Sequence, residues 1–171
     1  MNVTIQIRNI LLLAYFFTFC GWGQETISFP QRCEGVWKGT LKIFDAEGVL
    51  TREVSIVFTV EKQENHNWLW KKDYPNMLPP LEKNYLLKKD IKHPNNYLID
   101  ENNGIVLKEQ VIGEKLYGGY FFEGRYFLST YQFLGDQLLF EIVIMTLEKS
   151  DDTVQSMPIE QVQRAMMKRI Q

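Results

Sequence analysis

Few side chains in this sequence have the type and spacing that chemistry needs. The two histidines, His66 and His93, stand in expected loops, and neither has a second ligand at zinc-site spacing. A haem-binding barrel would need one of them as its axial ligand, which makes haem a secondary reading. Asp100-Glu101-Asn102-Asn103-Gly104 has the look of a calcium loop, but its glycine comes one position early and its twelfth position is Val111. Cys33 has no base visibly paired with it and reads as a buried thiol. Glu141 is the more informative acid, since it interrupts an apolar strand. Facing inward, it would be a carboxylate in an apolar cavity, suited to anchoring a ligand or moving a proton. Facing outward, it would pair with a C-terminal helix through Arg164 or Lys168. The aromatic face makes the better core, which favours the outward placement. No metal set and no cofactor follow from these residues, and binding is favoured over catalysis.

Binding chemistry is better represented. Trp68, Trp70, Tyr120, Tyr131 and Phe140 lie on strand-like segments and are the candidate ligand-binding residues, provided the strands close around a cavity. A filled aromatic core would account for the same density. Met77, Leu78 and Leu81 sit in the proline-rich stretch from Pro75 to Leu81, an apolar set on a connection expected to be wet. They are read as a lid or interaction loop, or as a cover for one end of the core.

Length and charge bound what can position these residues. A chain of 171 residues fits one domain with a sizeable core. The net charge of -2 comes from scattered groups, which excludes the electrostatic footprint of a nucleic-acid or anionic-membrane binder. Residues 1–23 read as a signal peptide. Arg8 precedes the apolar run Ile10 to Phe19, and Gly21-Trp22-Gly23 sets small residues three and one before Gln24. The run is too short for the roughly 20 residues of a membrane span, so no transmembrane anchor is expected after cleavage. The mature protein is expected to be periplasmic or extracellular. Lipid attachment at Cys20 is a minor alternative, because Phe19 stands where a small residue is wanted. Cleavage removes one base and no acid, leaving 18 basic against 21 acidic residues, a net -3. Cys33 is then the sole cysteine of residues 24–171, and no internal disulfide can form.

Within residues 24–171 the dominant period is two. Trp37, Gly39, Leu41 and Ile43 share one face, as do Val54, Ile56, Phe58 and Val60. Trp68 and Trp70 share a face of the next run. A three-residue loop, Asn102-Asn103-Gly104, sets Ile99 opposite Leu107 and Asp100 opposite Val106, with Gly104 in the left-handed position. A two-residue loop at Gly135-Asp136 sets Phe133 opposite Leu138, Tyr131 opposite Phe140 and Phe127 opposite Ile144. The other face of these last strands carries Leu128, Leu139, Val143 and Met145, which ask for a cover. After Pro158, Ile159, Val162, Met166 and Ile170 recur at helical spacing, so a helix over 158–171 is expected to dock there.

Eight to nine short antiparallel strands with no helix between them predict an all-β, up-and-down closed barrel with the C-terminal helix packed outside; a sandwich is the alternative. Gly35-Val36-Trp37 on the first strand, the meander and the terminal helix resemble the lipocalin-like (calycin) superfamily, in a small bacterial exported version. The resemblance implies that Trp37 points inward at the closed end of the barrel, beneath a basic side chain from near the C-terminus, for which Lys149 is the nearest candidate. The Thr-Asp-Tyr segment of the classical lipocalins is absent here. The sequence therefore reads as a secreted protein binding a small hydrophobic or amphipathic ligand in a barrel. The alternatives are an interaction or structural module with a filled core and, behind it, the haem barrel. Oligomeric state stays open.

Overall fold

The structure, a computed structural model, describes residues 27–147 and 156–170. The expected signal peptide over 1–23, Cys20, Lys149 and the linker over 148–155 lie outside the described residues.

One short helix, α1 (Phe29–Cys33), precedes ten strands: β1 (Gly35–Asp45), β2 (Leu50–Lys62), β3 (Asn67–Tyr74), β4 (Leu81–Lys89), β5 (Asn96–Asp100), β6 (Val106–Ile112), β7 (Lys115–Phe122), β8 (Arg125–Leu134), β9 (Gln137–Thr146) and β10 (Ile159–Arg169). Each strand pairs antiparallel with the next, and β10 returns to β1, closing the barrel. In α1, the Gln31 Oε1 accepts the Ser28 backbone N–H at 2.8 Å, and Pro30 occupies the first turn, where no donor is needed.

The hairpin registers follow from the turns. Ile99 faces Leu107 and Asp100 faces Val106 across the Asn102–Gly104 loop, where Gly104 has φ +94. Phe133 faces Leu138, Tyr131 faces Phe140 and Phe127 faces Ile144. Val54, Ile56, Phe58 and Val60 are all buried on the inner face of β2.

Two expectations are corrected. The barrel has ten strands rather than eight to nine, and residues 158–171 do not supply a C-terminal helix: Ile159–Arg169 is β10. The helix that is present is short and N-terminal, preceding β1. Nine antiparallel strands would leave β1 and β9 as free edges with unpaired N–H and C=O groups. The last segment pairs with both, setting Leu41 opposite Ala165 on one side and Phe140 opposite Ala165 on the other. That gain overrides the helical spacing of Ile159, Val162, Met166 and Ile170. Of these, Ile159, Met166 and Ile170 are exposed, while Ala165 and Met167 face the core.

The interior is filled at one end only. Trp37, Phe58, Trp70, Leu87, Leu116, Tyr131, Leu138, Phe140 and Met167 are fully buried. Their rings interlock: Phe58 meets Trp70 edge-on at 4.8 Å, and Tyr131 stacks on Phe140 at 4.7 Å. Aromatic pairs in these geometries add about 0.5–1.5 kcal/mol beyond their burial. The Trp70 Nε1 donates to the Tyr131 hydroxyl at 3.2 Å, so the polar edges are satisfied too. Below this layer, α1 closes the end. Trp37 Nε1 donates to the Cys33 carbonyl at 2.7 Å, and Phe133 packs against both Phe29 and Trp37.

Candidate functional site

Above the Trp70, Tyr131 and Phe140 layer the packing stops, and the barrel encloses a cavity of about 600 Å³. Its walls are Leu41, Ile43, Val54, Ile99, Leu107, Phe127, Ile142 and Ile144. It reaches solvent beside Thr51, Arg52 and Lys83, which are exposed, and Met77 and Leu81 stand at the same mouth. The tapering sequence of the strands explains the arrangement. Along β3 the inward positions run Trp68, Trp70, Lys72, Tyr74; along β8 they run Phe133, Tyr131, Ser129, Phe127. In both strands a large buried ring gives way to a polar group midway up the barrel.

The floor of the cavity holds two opposite charges. Lys72 is 8% exposed, and its Nζ lies over the rings of Phe140 at 4.4 Å, Tyr131 at 5.4 Å and Tyr85 at 5.7 Å. Burial pulls its pKa down to about 8, with the Lys83 charge acting in the same direction. Glu109 is 3% exposed and its Oε2 has no hydrogen-bond partner. Burial pushes its pKa up to about 7, and Lys72 and the Ser129 hydroxyl pull it back only in part. Among the described residues neither group joins a salt bridge. Four tyrosines, Tyr74, Tyr85, Tyr120 and Tyr131, complete the polar lining, all raised above their ordinary pKa by burial and so neutral at physiological pH.

Of the five candidate ligand-binding residues, Tyr120 and Tyr131 line the cavity. Trp68, Trp70 and Phe140 are buried in the packed half beneath it. In the candidate lid, Met77 and Leu81 reach the cavity, whereas Leu78 is 96% exposed. Glu141 points outward and takes Arg164 Nε at 2.6 Å. The partner is one of the two expected, carried on β10 instead of a helix. His66 and His93 lie on exposed connections away from the cavity, so a haem placed there would find no histidine. Asp100 at the head of the β5–β6 loop is engaged by Lys88 at 2.7 Å. No three of His, Cys, Asp or Glu gather as a metal set among the described residues.

Lys72 and Glu109 were not singled out by the sequence, although a signal exists. Lys72 continues the inward face that Trp68 and Trp70 define, and Glu109 is two residues beyond Leu107, whose inward phase follows from the Asn102–Gly104 loop. Following each alternation to the end of its strand identifies both.

At the closed end, the basic side chain over Trp37 is Arg169, whose guanidinium sits 4.5 Å from the ring. It arrives on β10, the last described strand.

No protein-family model and no curated protein matches the sequence. Among solved structures, a protein of unknown function from the DUF3598 family, from Nostoc punctiforme, is similar with a TM-score of 0.60 at 8% sequence identity. The likeness covers 82% of this chain and 49% of that one, so the present chain spans about half the length of its neighbour. At this identity the similarity is one of fold, a ten-stranded barrel consistent with a calycin-like architecture.

Proposed function

We propose that this protein binds a small hydrophobic or amphipathic molecule inside its barrel, as an exported carrier or sequestering protein. The observation that supports this reading is the uneven filling of the interior. Protein cores pack to the density of organic crystals, and a barrel of ten strands is wide enough to keep space for a ligand where its inward side chains do not meet. Here the closed half is solid while the open half keeps about 600 Å³, within the range typical of small-molecule sites. The apolar walls and neutral tyrosines suit a ligand body with few charges, and the interaction-module alternative, which requires a filled core, has less support. Export rests on the apolar run before Gln24.

The test uses the neutral fluorophore N-phenyl-1-naphthylamine. Its emission is expected to rise on binding to the purified protein, and Ile142→Trp, which fills the cavity, is expected to abolish the rise while the circular dichroism of the barrel is retained. Absence of binding, or unchanged binding by a folded Ile142→Trp protein, overturns the reading. Native mass spectrometry of protein from its own host then identifies the occupant.

A further inference from the structure

The floor of the cavity goes further than the walls in naming the ligand. We infer that the occupant is an amphiphile with a carboxylate head, which enters head first and is held between the Lys72 ammonium and the Glu109 carboxyl. The inference rests on the reading of the barrel as a binding protein and adds the chemical class of the ligand, its orientation and a linked proton.

A buried ammonium without a counter-ion and a buried carboxyl oxygen without a partner are each unfavourable. Lys72 and Glu109 face one cavity, yet no salt bridge joins them. A single group that engages both offsets both. A carboxylate does so, one oxygen accepting from the Lys72 ammonium and the other from the protonated Glu109 carboxyl, through charge-assisted bonds. An alcohol leaves the ammonium without a counter-charge. An amine answers Glu109 but sits beside Lys72 and faces Lys83.

The surrounding charges agree. Arg52 from β2 and Lys83 from β4 add positive charge toward the mouth, and Glu101 after β5 adds one negative. With Glu109 protonated, the cavity presents three positive groups against one negative, the potential an anion is drawn to. The hydrocarbon tail then lies along Ile99, Leu107, Phe127, Ile142 and Ile144, above the floor and toward the mouth.

Binding takes up protons. An anion on the floor raises the affinity of both Glu109 and Lys72 for protons, and these two groups titrate near neutrality in the free protein. Tyr74 and Tyr85, together with Tyr120 and Tyr131, face the same space and stay neutral across that range. Carboxylate affinity therefore falls as the pH rises from about 6.5 to about 9.

Calorimetric titration with three ten-carbon probes, decanoate, 1-decanol and decylamine, tests this on the wild type, Lys72→Met and Glu109→Gln. Decanoate is expected to bind the wild type at least about tenfold tighter than decanol at about pH 6.5, and to weaken by about tenfold by about pH 9. Lys72→Met is expected to bring decanoate to the level of decanol and leave decanol itself unchanged. Glu109→Gln, which keeps a donor and removes the titration, is expected to retain decanoate binding with a shallower pH profile. Equal binding of decanoate and decanol by the wild type overturns the inference while sparing the ligand reading. So does tightest binding of decylamine, or a decanoate preference that survives Lys72→Met. Failure of every probe overturns both.

Discussion

Glu109 on β6 stands directly opposite Gly118 on β7, and its carboxylate lies folded over the Gly118 Cα, in the space a side chain there would occupy. The glycine thus holds the acid against the barrel wall and keeps the middle of the cavity clear.

Gly118→Ala is expected to push the carboxylate into the cavity and to destabilise the barrel by about 1 kcal/mol, the low end for overpacking, because the displaced atoms end a flexible side chain. In a Glu109→Ala background the same change is expected to cost less than about 0.5 kcal/mol. Urea unfolding of the four proteins measures the cycle. Additive costs would show that the two residues do not compete for this space.

Burial of the two floor charges makes stability depend on pH in a defined window. Glu109 titrates at about 7 in the fold against an ordinary 4.5. Between these values the native state holds a proton that the unfolded chain has lost, so this group's contribution falls as pH rises and its penalty is complete above about 7. Lys72 titrates at about 8 against 10.5. Between those values the unfolded chain holds the extra proton, so stability recovers as pH rises and the penalty is complete below about 8. Both penalties coincide between about 7 and about 8. The Lys72→Met/Glu109→Leu protein lacks them, and is expected to exceed the wild type by roughly 1–4 kcal/mol in that window, with a smaller advantage on either side. Denaturant melts across pH check this, and an advantage independent of pH contradicts it.

Arg169 joins the last strand to the closed end, stacking on Trp37 and donating to the Arg32 carbonyl of α1. Arg169→Ala is expected to cost about 1 kcal/mol, and Arg169→Lys to recover little of it, since the planar guanidinium makes both contacts at once. Thermal melts measure the cost. A lysine variant as stable as the wild type would assign the effect to charge alone.

Much of the sheet is legible in the sequence. The alternation through Val54, Ile56, Phe58 and Val60 gave the inner face of β2, and the two loops at Asn102–Gly104 and Gly135-Asp136 gave the partners of Ile99 and Tyr131 correctly. The outward phase of Glu141 and its pairing with Arg164 were also within reach. The tenth strand was not. Its inward residues begin with Gln161 and Gln163, polar because they line the mouth, so the apolar residues that remain imitate a helical stripe.

The same limit applies to the site. Aromatic density points to Trp68, Trp70 and Phe140, which fill the closed half, whereas Lys72 and Glu109 read as ordinary charges within strands. What the sequence determined by itself was local: period-two faces and hairpin registers, because pleating and loop length act between neighbours in the chain. Barrel closure by β10, the meeting of Arg169 with Trp37, and the level at which packing gives way to a cavity were decided only by the tertiary structure. Each depends on free edges and volumes contributed by strands far apart in the chain, which no local pattern encodes.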